Sequence, residues 1–73
     1  MKTKSIEGES IKGRKVLLSA DVYDGAAEDR LFLAEDGFGC YPFTRGTAVL
    51  GRFVKSGTEA RVERYEIESL VEE

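Results

Sequence analysis

The chain contains no histidine and only one cysteine. Those two scarcities remove much of the chemistry open to a small protein. Without histidine, neither a Ser-His-Asp triad nor a Cys-His pair can be assembled within one chain. One cysteine closes no internal disulfide and makes no cysteine-rich zinc site. There is also no run of about 18 apolar residues, so no transmembrane helix is expected. The opening "MKTKSIEGES" has basic residues but no apolar stretch behind them, and does not read as a secretory signal. A lone thiol and no signal fit a cytoplasmic protein.

Other sites are excluded by spacing. Gly37 and Gly39 are not followed by Gly-Lys-Ser/Thr, so they make no phosphate loop. "DGAAED" lacks the ligand spacing and distal glutamate of a calcium loop. The carboxylate pairs Asp21/Asp24 and Glu35/Asp36 are read as a turn and a solvated edge, because a short chain leaves little room for an acid/base pocket. Cys40, among Gly39, Tyr41 and Pro42, is read as a packed structural thiol. No catalytic residue, metal or cofactor is assigned, and the protein is not expected to be an enzyme.

With 73 residues the chain is read as one domain, residues 1–73. A domain this small buries only about 60% of its unfolded surface. A thin core with no disulfide or metal site points to a partner protein or to self-association as a homodimer. Net charge is −3, which weighs against nucleic acid as the first choice of partner. The charges fall in blocks: residues 1–15 and 40–64 each sum to +3, residues 16–39 to −5 and the last nine to −4. Such blocks are expected to be solvated faces that neutralise one another in space.

The dominant apolar period is two, the spacing of a half-buried strand. In "KVLLSADVY", Val16, Leu18, Ala20 and Val22 share a face, with Lys15, Ser19 and Asp21 opposite. "RLFLAE" follows a polar turn, with Leu31 and Leu33 alternating against Arg30, Phe32 and Ala34. "GRFVKSGTEARVERYEI" reads as a hairpin with a two-residue turn at Ser56-Gly57. That register sets Phe53 against Ala60 and Gly51 against Val62, both pairs directed into the core, and Arg52 against Arg61, like charges that Glu59 and Glu63 are expected to neutralise from diagonal positions. The phase then changes between Val62 and Tyr65, so a bulge or sharp coil is expected near Arg64. Ile67, Leu70 and Val71 stand at i, i+3 and i+4, which predicts a helical turn. The N-terminal "KTKSIEGE" reads as a short edge strand with Ile6 buried, and "GESIKG" as a loop. "FTRGTAVLG" fits either a short helix capped by Thr44 or the approach to the hairpin.

Short strands and frequent glycine turns make the chain all-β, with at most one short helical turn. Five strands are too few for a sandwich. They fit a small, partly open barrel, SH3-like in preference to OB-like.

The densest stretch is "GFGCYPFTRG", from Gly37 to Gly46. As a structural element it is a bend stiffened by Pro42, with Phe38, Tyr41 and Phe43 filling the barrel ends. As a functional one, three aromatics in six residues exceed what a thin core absorbs, which leaves Tyr41 exposed beside Arg45. An exposed aromatic next to an arginine is a recurrent interface pairing. Together with Arg52 and Arg61 of the hairpin, this predicts one partner-binding surface made of Phe38, Tyr41, Arg45, Arg52 and Arg61. The protein is therefore read as a non-catalytic binding module, with single-stranded nucleic acid as the alternative partner.

Overall fold

The structure, a computed structural model, describes residues 1–7, 11–37 and 48–72. Within them the chain is all-β, and no α-helix occurs among the described residues. Six strands, β1 (Thr3–Lys4), β2 (Lys15–Leu18), β3 (Leu31–Gly37), β4 (Ala48–Phe53), β5 (Glu59–Glu63) and β6 (Ile67–Val71), form one antiparallel sheet in the order β1-β6-β2-β3-β4-β5. Short 3-10 turns at Ala27–Arg30 and Arg64–Glu66 precede β3 and β6. No described helix is long and apolar enough to cross a membrane.

Cross-strand pairing explains the core. The partners Val16↔Phe32, Val16↔Leu70, Phe32↔Phe53, Ala34↔Gly51 and Val49↔Val62 all lie on one face. Directly opposed residues share a face, so period-two sequences from five strands converge on one cluster. Ile6 and Ile11 complete it from the N-terminal segment. Phe32 is fully buried and meets Phe53 edge-on at 5.5 Å, and Phe53 meets Tyr23 at 5.8 Å. The edge strand β1 and the burial of Ile6 are as the sequence predicts.

Several boundaries differ from expectation. β2 stops at Leu18, and Ala20 and Val22 are exposed. Ser19 ends the strand. Its hydroxyl accepts from Asp21 N–H, and its carbonyl accepts from Val22 and Tyr23 N–H. Such local bonds compete directly with a strand ladder. In β3 the buried phase is Phe32 and Ala34, while Leu31 and Leu33 are only partly buried.

The β4–β5 hairpin closes with four residues, 54 to 57, in place of two. Phe53 N–H donates to Thr58 O, and Gly57, at φ +75°, takes the left-handed position in the turn. The register therefore moves by two: Gly51 faces Ala60, Arg52 faces Glu59 and Leu50 faces Arg61. A slip of two residues keeps every side chain on its face. That is why the inward assignment of Gly51, Phe53, Ala60 and Val62 survives the wrong turn length.

The phase change near Arg64 is the second 3-10 turn, which leaves Tyr65 71% exposed. Ile67, Leu70 and Val71 belong to a strand and not to a helical turn. Opposite Leu17 and Leu18 the register shifts by one, from Leu17↔Ser69 to Leu18↔Ile67, so Glu68 is an inserted bulge residue. The insertion brings Ile67 and Leu70 to the same face at a spacing of three. The ambiguous run ending "AVLG" resolves as strand from Ala48 onward.

Candidate functional site

Of the five residues expected to form the binding surface, Phe38, Tyr41 and Arg45 lie outside the described residues, as do Cys40, Phe43 and Thr44. Arg52 and Arg61 are described. They share the outer face of the hairpin but are not opposite one another. Between them in the ladder stand Glu59 and Leu50.

Arg52 is held on both sides. Its Nε donates to Glu35 Oε2 of β3 at 3.0 Å, and a terminal nitrogen donates to Glu59 Oε2 of β5 at 3.0 Å. The strand order places the arginine in the middle and a carboxylate on each flank. Glu35 reaches it because β3 bulges there: the register passes from Ala34↔Gly51 to Asp36↔Leu50, leaving Glu35 as the extra residue. Bulges re-aim side chains in this way. Two consecutive acidic residues at the end of an alternating strand were the available signal, and alternation alone does not reveal it.

Arg61 is loosely held, 3.9 Å from Glu63, and its side chain is 66% exposed. The like-charge opposition of Arg52 and Arg61 does not occur: Glu59 stands directly opposite Arg52, not diagonal to it, and Glu63 lies beside Arg61 on β5. The charge blocks also meet across the fold. Arg52 pairs with Glu35 and Lys55 with Asp29 at 2.7 Å, both joining the basic 40–64 block to the acidic 16–39 block, and Arg30, the one cation of that acidic block, approaches Glu68 at 3.8 Å. The Lys55 ammonium bonded to Asp29 holds that carboxyl below its ordinary range.

The residue not anticipated is Leu50. It is 52% exposed, faces Arg61 across the ladder and stands one position along β4 from the fully buried Val49. It lines an open groove of about 310 Å³ with Glu35, Gly51, Glu59 and Ala60. Its lining thus combines the apolar Leu50, Gly51 and Ala60 with the side chains of Glu35 and Glu59. Leu50 also pairs with Asp36, close to where residues 38–47 leave β3 and rejoin β4 in the chain. On the same outer face, Leu33 lies between Arg52 and Lys15, and a second open groove of about 470 Å³ runs past Lys15, Leu33, Val71 and Glu72.

At the other end, Tyr23 donates its hydroxyl to Glu66 Oε1 at 2.6 Å. Burial, followed by this bond to a carboxylate, pushes its phenol up to about 12. Arg30 donates to the carbonyls of Leu18 and Gly25 at 2.7 and 3.3 Å, and so ties the 19–26 segment to the sheet. These groups are committed to internal bonds and act structurally. The chain matches no family model, and neither the curated proteins nor the solved structures provide a match.

Proposed function

We propose that the chain is a small SH3-like β-barrel acting as a non-catalytic module that binds a protein partner on the outer face of β3, β4 and β5. The barrel assignment is supported by the strand order. A four-strand meander, β2 to β5, is followed by a 3-10 turn and a last strand that returns to β2. The binding assignment is carried by one observation: an exposed Leu50 set among charged pairs, with Arg52 braced between Glu35 and Glu59 on one side and Arg61 near Glu63 on the other. An apolar centre inside a polar rim is the anatomy of a protein interface. A phosphate contact would require Arg52 to give up two carboxylates, so the same arrangement weighs against nucleic acid. The expected surface includes Phe38, Tyr41 and Arg45, and a cytoplasmic setting rests on the single thiol.

The discriminating experiment is a titration with a fluorescent single-stranded oligonucleotide of about 12 nucleotides, within the site sizes of small barrels. No binding is expected at low salt. Binding with a steep negative salt slope, lost on Arg52→Ala or Arg61→Ala, would overturn the proposal in favour of nucleic acid.

A further inference from the structure

β5 ends the sheet, and no described strand pairs with its far side. The bond from Phe53 N–H to Thr58 O fixes which residues face β4. Along an antiparallel pair hydrogen-bonded positions alternate, so Ala60 and Val62 bond to β4. The main-chain groups of Glu59, Arg61 and Glu63 then point to the open edge. An exposed row of this kind is a template for another strand.

We propose that the strand added there is β5 of a second copy of this chain, antiparallel, with the two-fold axis at Ala60. The proposal goes beyond the outer-face reading, because it concerns the main-chain edge of β5 that borders that face. The choice of register comes from charge. The outward side chains run Glu59, Arg61, Glu63. An axis at Arg61 opposes Arg61 to the partner's Arg61 and Glu59 to the partner's Glu63, like against like at every outward position, which is destabilising. An axis at Val62 runs Glu59 and Ala60 into the partner's 3-10 turn at Arg64–Glu66, where the strand has ended. An axis at Ala60 opposes Glu59 to the partner's Arg61 twice over, with these pairs inside the strand Glu59–Glu63, and sets Val62 against the partner's Thr58 just before it. Glu59 is already oriented by Arg52 at 3.0 Å, and the exposed Arg61 is free to reach across. A continuous row Arg52–Glu59–Arg61 then crosses the junction. Charge thus opposes the register centred on Arg61, the 3-10 turn cuts short the one centred on Val62, and the axis at Ala60 remains.

The paired strand is short, so the dimer is weak. Sedimentation equilibrium from about 10 µM to about 1 mM brackets the range expected of an interface below ~1,200 Å². The wild-type chain is expected to dimerise at the upper end, with the amides of Glu59 and Arg61 gaining protection from hydrogen exchange as concentration rises. Arg61→Glu and Glu59→Arg should each weaken the dimer at least about tenfold, or ~1.4 kcal/mol. The double reversal Glu59→Arg/Arg61→Glu should restore it. Thermal melts check that each variant is folded. Where Glu59→Arg perturbs the fold by facing Arg52, the Arg61→Glu variant and the amide protection decide. A wild-type chain monomeric throughout, a dimer indifferent to Arg61→Glu, or protection absent from Glu59 and Arg61 would overturn the proposal. A monomer that still captures another protein at Leu50 would refute the pairing alone and leave the outer-face function standing.

Discussion

Gly51 sits in the middle of β4, where a strand former would raise intrinsic propensity, and the structure predicts that any side chain there is destructive. A Cβ at this position would overlap the Leu33 carbonyl oxygen and lie 2.8 Å from Phe32 Cε2. The first clash is with the backbone of the neighbouring strand, which cannot rotate aside. Overpacking of this kind costs about 3 kcal/mol, and replacing a strand glycine recovers roughly 0.5–1 kcal/mol. The net loss for Gly51→Ala is then about 2 kcal/mol, a midpoint decrease of roughly 8–16 °C for a domain of this size. Gly51→Val should be worse, because its extra methyls press further on the Phe32 ring. Urea titration followed by circular dichroism separates the two accounts. β-propensity ranks Val above Ala above Gly by up to about 1 kcal/mol, whereas the clash reverses that order. A Gly51→Val variant as stable as the parent would refute the close packing of β3 on β4.

Three further perturbations test the structural supports. The unfolded tyrosine ionises near 10 and the folded Tyr23 near 12. Between those values the native state holds a proton that the unfolded state has lost, so stability should be full below pH 10 and fall as pH rises toward about 12. Thermal melts across that window should show the fall in the wild type and a smaller one in Tyr23→Phe. Arg30→Met should cost about 2 kcal/mol, because it removes charge-assisted donors from the Leu18 and Gly25 carbonyls; chemical denaturation measures this directly. Arg52→Ala should cost about 1 kcal/mol or less, since its two ion pairs are at the surface, and a large loss in the same assay would mean that the pairs carry the fold.

How much of this was legible in the sequence depended on whether alternation ran unbroken. Val16, Leu18 and Val62 follow it, and both their burial and the all-β class could be read directly. Two bulges broke it. The extra Glu68 gives Ile67 and Leu70 a helical spacing inside a strand, and the extra Glu35 turns an acidic side chain toward Arg52. A bulge is set by pairing with a neighbouring strand, which a single segment does not encode. Turn length was hidden for a related reason. Ser56-Gly57 suits a two-residue turn locally, but the register that prevails sets Arg52 against Glu59 and keeps it from Arg61. Leu50 was missed because the run Ala48–Val49–Leu50 fitted a short helix as well as the approach to the hairpin, and only strand pairing shows which face it takes.

The proposed binding function requires a protein to contact the outer hairpin face around Leu50. A photo-crosslinking amino acid placed at position 50, in cells producing the full chain, tests it most directly, with the same probe at the exposed Tyr65 as a control. A discrete adduct is expected at position 50, sensitive to protease and resistant to nuclease, and none at position 65. A nuclease-sensitive adduct, or equal labelling at both positions, would contradict it.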